Sequence, residues 1–402
     1  MGTLRATATA LGYLIRGRLW TARRREPTWA AIEEAWRSQA SGNATASRDT
    51  SLAADDRIRV LGTGEEGFSV RAALYASAAA AIDLATYYIQ ADETGRSTVQ
   101  ALAACAARGV RVRLLVDARM MVQKEREVPG TLGLLAQADA AGIAVRRWRD
   151  RRRPYDAQHR KILLIDGRTA IVGGRNIADH YRGDEWRDAD VLIEGPSAAA
   201  LTPLFEAAWS GTPPPSEAGH WRDHVPGRAA ADAIAVAALT TIEHARDSID
   251  IELAYLVLPH AVCEALARAA ARGVRVRVLT NSAASTDLWF TVWGAHACMR
   301  RLAAAGCQVQ ARQGRGRTLH TKLVIVDREW VTVGSHNLDY YSTRYCCETN
   351  LVARDARLAA ALHPFFEAGL ADAEPISDEA ARDVCRRSPV SRVFDRVFRD
   401  FQ

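Results

Sequence analysis

The segments HRKILLIDGRTAIVGGRN (159–176) and HTKLVIVDREWVTVGSHN (320–337) carry the same residues at the same spacing, H-x-K-x4-D-x6-G-[G/S]-x-N. The shared positions are His159, Lys161, Asp166, Gly173, Gly174 and Asn176 in the first segment and His320, Lys322, Asp327, Gly334, Ser335 and Asn337 in the second. In each segment an apolar run, a short turn and a second apolar run follow one another, which is typical of two adjacent buried strands. The pattern therefore indicates that one structural unit occurs twice.

The repeat extends beyond these segments. ARGVRVRLLVD (107–117) recurs as ARGVRVRVLTN (271–281), and each copy predicts the end of a helix, a glycine turn and a strand. A strand-like run precedes each copy, IDLATYYI (82–89) and IDIELAYLVL (249–258). Between the two halves lies GTPPPSEAG (211–219), whose consecutive prolines cannot continue a helix or a central strand. This segment is the natural domain boundary.

The order of elements in both halves is strand, helix, strand, helix, strand. It predicts an α/β protein of two similar domains, each a mixed β-sheet flanked by helices, related by a pseudo-twofold axis. We expect an N-terminal helical and basic extension (1–54), a first domain (55–212), a second domain (222–373) and an amphipathic C-terminal tail (374–402). Residues near such an axis come in pairs.

The composition is that of a globular protein, with 402 residues, 48% hydrophobic and 25% charged. The 53 Lys and Arg against 47 Asp and Glu give a net charge of +6, which suits membranes, phosphates or nucleic acid without choosing among them. Seven cysteines without a C-x-x-C pair do not resemble a zinc site or a disulfide framework. We expect reduced thiols and a cytoplasmic protein, with the adjacent Cys346 and Cys347 facing opposite sides of a strand.

Both chain ends contain segments that could meet a membrane surface. The apolar stretch from Ala6 to Ile15 is too short to span a bilayer and is followed by basic residues, which favours an interfacial segment. In the tail, apolar residues from Val390 to Phe401 lie on one helical face with arginines off it. A helix docked on the protein would show the same pattern.

The spacing within each motif has a physical logic. Residues two apart in a strand face the same side, so His159 and Lys161 project together, as do their counterparts in the second half. The glycine step after the second apolar run lets the backbone approach a ligand, and Asn176 and Asn337 return a polar side chain to the same rim. Two His, two Lys and two Asn at one axis would form a cationic pocket for one phosphate, with Ser335 as a further phosphate-binding candidate.

Each of these residues alone also has an ordinary structural interpretation. A single histidine on a strand is more often a core residue than a catalyst, and Asp166 and Asp327 could simply be turn residues at strand ends. Six positions that recur in identical register are hard to explain by packing alone. The functional interpretation is therefore preferred for the pair of motifs.

Both motifs resemble the paired signature of the phospholipase D superfamily, and residues 55–370 resemble bacterial cardiolipin synthases. The flanking segments that carry this resemblance are YYIQADETGR (87–96), GGRNIADHY (173–181), WRDADVLIEGP (186–196), TNSAASTD (280–287) and GSHNLDYYSTRYCCETN (334–350). Glu348 and Asn350 keep the family's usual places. Tyr341-Ser342 and Cys346 stand where family members commonly carry Arg-Ser and Asn.

The resemblance implies phosphodiester exchange without a metal or other cofactor. One imidazole would attack phosphorus to form a phosphatidyl-histidine, and the other would protonate the leaving alkoxide and later deprotonate the incoming alcohol. We assign His159 as the nucleophile and His320 as the acid and base, although the symmetry of the motifs does not decide between them. Lys161, Lys322 and the two asparagines would stabilise the charge of the transition state.

The resemblance also implies that a carboxylate from the opposite half orients each histidine. Glu348 is the candidate for His159, and Asp190 is the candidate for His320. Asp166 and Asp327, although part of the catalytic motif, are expected to brace the structure rather than touch phosphorus.

The implied reaction makes cardiolipin from phosphatidylglycerol and a second phospholipid. A phospholipase D that hydrolyses phospholipid to phosphatidic acid, a nuclease or other phosphodiesterase, and an inactive binding module are the alternatives. The arginine-rich 146–153 stretch favours a nuclease, but Trp148 is its only aromatic residue, so nucleic acid is not the expected partner. The 288–293 run could form an acyl-chain wall or a buried helix face.

We expect phospholipid substrates and peripheral association with the cytoplasmic face of the inner membrane. Because one chain contains both motifs, a monomer suffices for the active site.

Overall fold

A computed structural model describes residues 27–42, 51–215, 217–227 and 232–376. The apolar stretch near the N-terminus and the tail from Val390 to Phe401 lie outside the described residues, so the expectations for both stay predictions. No helix in the described ranges has the length and hydrophobicity needed to cross a bilayer.

The first domain is built on one mixed sheet. Its strands are β1 (Arg57–Leu61), β2 (Ala81–Ala85), β3 (Arg111–Asp117), β4 (Ala144–Trp148), β6 (Ile162–Ile165), β7 (Thr169–Gly173) and β8 (Asp190–Glu194), with the short β5 (Ala157–Gln158) leaving this sheet. The order is β1-β8-β7-β6-β2-β3-β4, with β2, β3 and β4 parallel and the remaining neighbours antiparallel. The first histidine motif begins just before β6.

The second domain repeats this sheet. Its strands are β9 (Glu217–Ala218), β10 (Trp221–His224), β11 (Ser248–Leu253), β12 (Arg275–Asn281), β13 (Gln308–Arg312), β14 (Lys322–Val326), β15 (Trp330–Gly334), β16 (Cys346–Arg354) and β17 (Ala373–Pro375). The order β16-β15-β14-β11-β12-β13 matches β8-β7-β6-β2-β3-β4 strand for strand. The predicted fold class, two similar mixed sheets flanked by helices, is confirmed.

Helices flank both sheets, and those of residues 196–210 and 356–371 pack into the core that the two sheets share. The helices are α1 (Trp29–Gly42), α2 (Gly64–Ser77), α3 (Glu93–Ala107), α4 (Ala118–Glu127), α5 (Thr131–Ala140), α6 (Pro196–Ala199), α7 (Thr202–Ser210), α8 (Ala233–Glu243), α9 (His260–Ala271), α10 (Val292–Ala304), α11 (Tyr340–Tyr345) and α12 (Ala356–Ala371). The repeated glycine turns, Gly109 and Gly273, end α3 and α9 with φ of 89° and 90°. Glycine adopts this conformation at low cost, so the chain can turn directly into the next strand.

The two sheets share a central core. Ile162 and Leu164 of β6 belong to the same buried cluster as Leu323 and Ile325 of β14. The apolar runs of the motifs are therefore buried on both faces, because one face meets the flanking helices and the other meets the opposite domain. This packing brings the starts of β6 and β14, and hence the two motifs, to one place.

The N-terminal extension contributes to the second domain. Ile32 and Trp36 of α1 are fully buried in the core cluster that contains α8. The Glu33 carboxylate accepts hydrogen bonds from the backbone N–H groups of His260 and Ala261 at the start of α9, at 2.9 and 3.0 Å. An acid at a helix N-terminus stabilises the unpaired N–H groups and the helix dipole.

Reciprocal backbone contacts join the domains beside the motifs. Strand β5 pairs in parallel with β16, and the His159 N–H donates to the carbonyl of Cys347 at 3.0 Å. In the other half the His320 N–H donates to the carbonyl of Arg187 at 2.7 Å. Each motif histidine is thus fixed by backbone of the opposite domain.

Candidate active site

A carboxylate from the opposite domain holds each motif histidine. His159 Nδ1 lies 2.9 and 3.0 Å from the two carboxylate oxygens of Glu348. His320 Nδ1 lies 2.8 Å from Oδ2 of Asp188. With Nδ1 held in this way, Nε2 is the nitrogen left for chemistry on a substrate.

The carboxylate on His320 is Asp188, and the assignment of Asp190 to this position is wrong. Asp190 lies in a buried ion cluster instead, 2.9 Å from Arg71 and 3.0 Å from Arg175. Its carboxylate is fully buried and its charge is already balanced by two guanidinium groups. Asp188 thus orients a histidine, whereas Asp190, two positions later, stabilises the domain.

The register of the paired strands in the two domains shows why Asp188 is the equivalent of Glu348. Gly173 pairs with Asp190 across β7 and β8, and Gly334 pairs with Asn350 across β15 and β16. Asp190 is therefore the counterpart of Asn350, and the residue two positions before it, Asp188, is the counterpart of Glu348. The pairing of these strands, which the spacing of the motifs does not reveal, therefore identifies Asp188.

The double-glycine step of the first motif makes room for these carboxylates. A Cβ atom at Gly174 would lie 2.3 Å from Oδ1 of Asp188, and one at Gly173 would lie 2.0 Å from Oδ1 of Asp190. Both distances are far below contact distance, so any side chain there would displace an acid. Gly174 thus makes room for the carboxylate that orients His320 and Gly173 for the carboxylate of the ion cluster, whereas the sequence suggested that this step lets the backbone approach the ligand.

The two motif lysines lie behind their histidines. Lys161 Nζ donates to the carbonyl of His159 at 2.7 Å, and Lys322 Nζ donates in the same way to the carbonyl of His320. Burial lowers the pKa of Lys161 to about 7 and that of Lys322 to about 8. Two buried ammonium groups with depressed pKa values form a site that an anion would stabilise.

Asn176 and Asn337 also lie beside the histidines. The Asn176 side chain donates to the Tyr181 hydroxyl at 2.7 Å and accepts from the Tyr87 N–H at 3.2 Å. Asn337 is buried, and its side-chain N–H donates to the Ser342 hydroxyl at 3.4 Å. Both asparagines line the cavity described below.

Ser335, unlike the two asparagines, does not line the cavity. It is fully buried, and its hydroxyl donates to the Thr349 carbonyl at 3.3 Å and accepts from the Thr349 N–H at 3.1 Å. A hydroxyl engaged on the backbone of β16 stabilises the sheet, so the prediction that Ser335 binds phosphate is wrong.

The motif aspartates lie at the opposite end of their strands. Asp166 accepts hydrogen bonds of 2.7–2.9 Å from three consecutive backbone N–H groups, 79–81, where β2 begins. Asp327 does the same for residues 246–248 at the start of β11. Both have positive φ, 50° and 52°. Their position is a turn that pins the next strand, and it keeps them away from the histidines.

One cavity of about 1180 Å³ contains the histidines and asparagines of both motifs. Its walls are rich in apolar and aromatic side chains, including Val122, Val128, Trp148, Trp186, Val257, Leu288 and Trp293. Cationic side chains also line it, namely Arg119, Lys124, Arg126 and Arg149. Leu288 and Trp293 come from the apolar run that the sequence offered as an acyl-chain wall, while Val292 between them is buried. The cavity can hold a molecule with an anionic centre and apolar arms.

Burial sets the protonation of both histidines. It lowers the pKa of His159 to about 4, although Glu348 opposes the shift. Burial, together with Lys322 and Lys161, lowers the pKa of His320 well below its usual value. Without an anion in the site, both imidazoles are neutral near neutral pH, which leaves a lone pair for nucleophilic attack.

Aromatic side chains that the motifs do not contain fix the imidazole rings. Tyr87 meets His159 edge to face with ring centroids 4.8 Å apart, and Tyr181 meets His320 in the same way at 5.5 Å. Cys346, also absent from the motifs, lines the cavity beside His159. Both tyrosines lie in segments that carried the family resemblance, but a single sequence offered no reason to select them.

The sequence matches the family described as "Cardiolipin synthase, PLD-like domain" over residues 72–209 and 238–369, one match for each domain. The chain belongs to this family. Each match contains one of the two motifs, so the duplicated architecture and the family pattern coincide.

Curated relatives agree with this assignment. The chain is 29% identical to cardiolipin synthase A of Pseudomonas aeruginosa over 361 residues, covering 84% of this chain and 71% of the relative. It is 29% identical to cardiolipin synthase B of Escherichia coli K12 over 330 residues, covering 75% of this chain and 77% of the relative. A probable cardiolipin synthase of Bacillus subtilis, YwiE, is 27% identical and covers 80% of this chain and 67% of its own length.

Solved structures show the same fold. Phosphatidylserine synthase of Haemophilus influenzae superposes with a TM-score of 0.68, covering 91% of this chain and 98% of that chain at 13% identity. A polyphosphate kinase of Porphyromonas gingivalis superposes with a TM-score of 0.58 at 16% identity, covering 81% of this chain and 49% of its own. At these identities the likeness concerns the fold alone.

Proposed function

We propose that this protein transfers a phosphatidyl group from one phospholipid to the hydroxyl of phosphatidylglycerol and so makes cardiolipin. The observation that carries this proposal is the pair of histidines, each held through Nδ1 by a carboxylate of the other domain, in one largely apolar cavity. The curated relatives named cardiolipin synthase support the same reaction.

In the proposed first step, Nε2 of His159 attacks phosphorus of the donor lipid. The bond from phosphorus to the headgroup oxygen breaks, and the leaving alkoxide takes a proton from His320. In the second step the acceptor hydroxyl gives its proton to His320 and attacks phosphorus, and the bond to His159 breaks. The acid and base thus returns to its starting protonation state.

The phosphate itself would prepare this chemistry. An anionic phosphodiester beside Lys161, Lys322 and His320 raises the pKa of each of these groups by Coulombic attraction. His320 would therefore gain its proton when the donor binds, while His159 keeps its lone pair directed at phosphorus. Glu348 and Asp188 would hold the two rings in the tautomers that these roles require.

Transfer to a lipid rather than to water depends on positioning. The phosphohistidine reacts with any hydroxyl, but an acceptor held beside it gains effective concentration that outweighs bulk water by several orders of magnitude. The apolar wall around Leu288 and Trp293 would hold acyl chains in this way. Among the described residues the exposed large hydrophobic side chains are Val122 and Trp289, which lie in and beside this lining, so we propose that the cavity mouth faces a membrane surface.

The test supplies labelled donor phospholipid in mixed vesicles, with and without phosphatidylglycerol, to the wild type and to His159→Asn. We expect cardiolipin from the wild type only when phosphatidylglycerol is present, and no lipid product from the variant. Phosphatidic acid as the main product in both mixtures would indicate a hydrolytic phospholipase. Cleavage of single-stranded DNA without any lipid product would indicate a nuclease.

A further inference from the structure

A thiol completes a set of potential metal ligands beside the nucleophile. One ligand atom each from His159, Cys346 and Glu348 lies within 4.8 Å of the other two, and all three residues are buried. Cys346 and His159 both line the cavity, so a small ion can reach them from the substrate side. The proposed reaction makes no use of the thiol.

The three groups are of the types that bind zinc. Zn²⁺ takes sulfur at about 2.3 Å and histidine nitrogen or carboxylate oxygen at about 2.0–2.2 Å, which places tetrahedral donors roughly 3.5 Å apart. Because the ligand atoms here lie within 4.8 Å of one another, no pair needs to close by more than about 1.3 Å, and rotation of the Cys346 side chain is the movement that brings its sulfur closer. Three protein ligands leave a fourth position for water or for a phosphate oxygen in the cavity.

We propose that His159, Cys346 and Glu348 form an inhibitory binding site for a thiophilic divalent cation such as Zn²⁺. Binding rests on the geometry alone, whereas inhibition also rests on the proposed role of His159. A metal on Nε2 removes the nucleophilic lone pair, and a metal on Nδ1 removes the contact with Glu348. Either way the thiol releases its proton to solvent, and no redox change occurs.

The neighbouring cations oppose the ion but do not exclude it. Lys161 and Lys322 lie near the three ligands, and a dication would repel their ammonium groups. Glu348 and Asp188 contribute negative charge at the same place.

Cobalt binding tests the site without any lipid. Co²⁺ is added to the purified full-length chain in detergent, and the near-ultraviolet thiolate-to-cobalt absorption is recorded before and after Zn²⁺ is added. The wild type should show a band that Zn²⁺ removes, and Cys346→Ser should lose that band. The adjacent Cys347→Ser is the matched control, because Cys347 points to the other face of β16, beside Arg160, and should keep the band.

Two further cysteines could contribute a background to the cobalt absorption. Cys263 and Cys298 approach to 3.2 Å between their sulfur atoms, away from the cavity, and could also bind cobalt. Their contribution is the same in all three proteins, so only the difference between Cys346→Ser and Cys347→Ser counts. Equal bands in these two variants would overturn the proposal.

Inhibition is measured separately, as the ratio of cardiolipin formed with and without Zn²⁺ in each protein. The Zn²⁺ concentration for half inhibition should rise by about tenfold or more in Cys346→Ser and stay unchanged in Cys347→Ser, and EDTA should restore activity. Equal sensitivity of the two variants would contradict an inhibitory site at Cys346. If no protein makes cardiolipin, the proposed function fails while the cobalt absorption still decides whether the site exists.

Discussion

At the scale of single residues, two aspartates separated by one position have different surroundings. Asp188 contacts His320, whereas Asp190 contacts Arg71 and Arg175. A carboxylate on an imidazole fixes the tautomer and stabilises the imidazolium that forms during proton transfer. A carboxylate between two buried guanidinium groups balances charge that would otherwise be uncompensated.

We therefore expect Asp188→Asn and Asp190→Asn to fail in different ways. Asp188→Asn should lower kcat by about 10²–10⁴ and alter its pH profile, with little change in the unfolding midpoint. Asp190→Asn should lower the free energy of unfolding by about 3–5 kcal/mol, because it leaves buried cations unpaired. Urea unfolding and lipid-transfer kinetics on both variants make the comparison. Loss of stability without an altered pH profile in Asp188→Asn would refute its role on His320.

The meeting of the two His-Lys pairs could be predicted from the sequence, because the repeat doubles them about an axis, whereas the position of each lysine behind its histidine could not. The structure also places Glu348 against His159, the partner suggested by the family resemblance. Spacing could not separate Asp188 from Asp190, since residues two apart in an extended run share one face. The choice depends on Arg71 and Arg175, which reach Asp190 from α2 and from the motif itself.

At the scale of elements, the turns after β6 and β14 connect each of these strands to the start of a neighbouring strand. Asp166 and Asp327 each adopt positive φ and accept backbone N–H groups at the start of the neighbouring strand. Such carboxylates stabilise the turn and set the register of the sheet beneath the histidines.

Asp166→Ala should therefore destabilise the protein without changing the chemistry. It removes hydrogen bonds to Ala79, Ala80 and Ala81, and the loss should be about 1–3 kcal/mol in the free energy of unfolding. Activity per folded molecule should stay within about threefold of the wild type. Asp166→Asn, which tolerates the same backbone conformation and keeps one acceptor, should recover much of the stability. A large loss of kcat in well-folded Asp166→Ala would contradict a purely structural role and indicate that Asp166 takes part in catalysis.

The periodic elements were predictable, whereas the cavity walls were not. The repeat and its glycine turns predicted the order of strands and helices along the chain and a mixed sheet in each domain, because each unit must bury the same apolar faces. Helix α4 supplies Val122 and the cationic lining residues from Arg119 to Arg126. No sequence motif predicts where this helix lies. Its place over the cavity results from tertiary packing against α5, which one sequence does not reveal.

At the scale of the whole molecule, the site keeps histidines neutral at a cost to stability in acid. Burial lowers the pKa of His180, at the cavity wall, to about 4, with Lys124 adding to the shift. The unfolded chain takes up this proton below about pH 6.5, so the folded state loses stability as the pH falls from that value towards about 4.

His180→Gln isolates this contribution. The free energy of unfolding of the wild type should fall more steeply than that of the variant between about pH 7 and about pH 5, whatever the variant's starting stability. Urea titrations of both proteins at a series of pH values measure the two slopes. Parallel slopes would mean that the His180 pKa is not depressed in the folded protein.

The central claim is that His159 and His320 share one site and perform different tasks. A phosphatidyl ester of p-nitrophenol separates these tasks, because its leaving group departs without help from an acid. His320→Asn should release about one p-nitrophenolate per chain in a rapid burst and then stall, with the phosphatidyl group bound to His159 in a digested sample. His159→Asn should give no burst. Steady turnover in both variants, or no covalent adduct in either, would contradict a two-histidine mechanism.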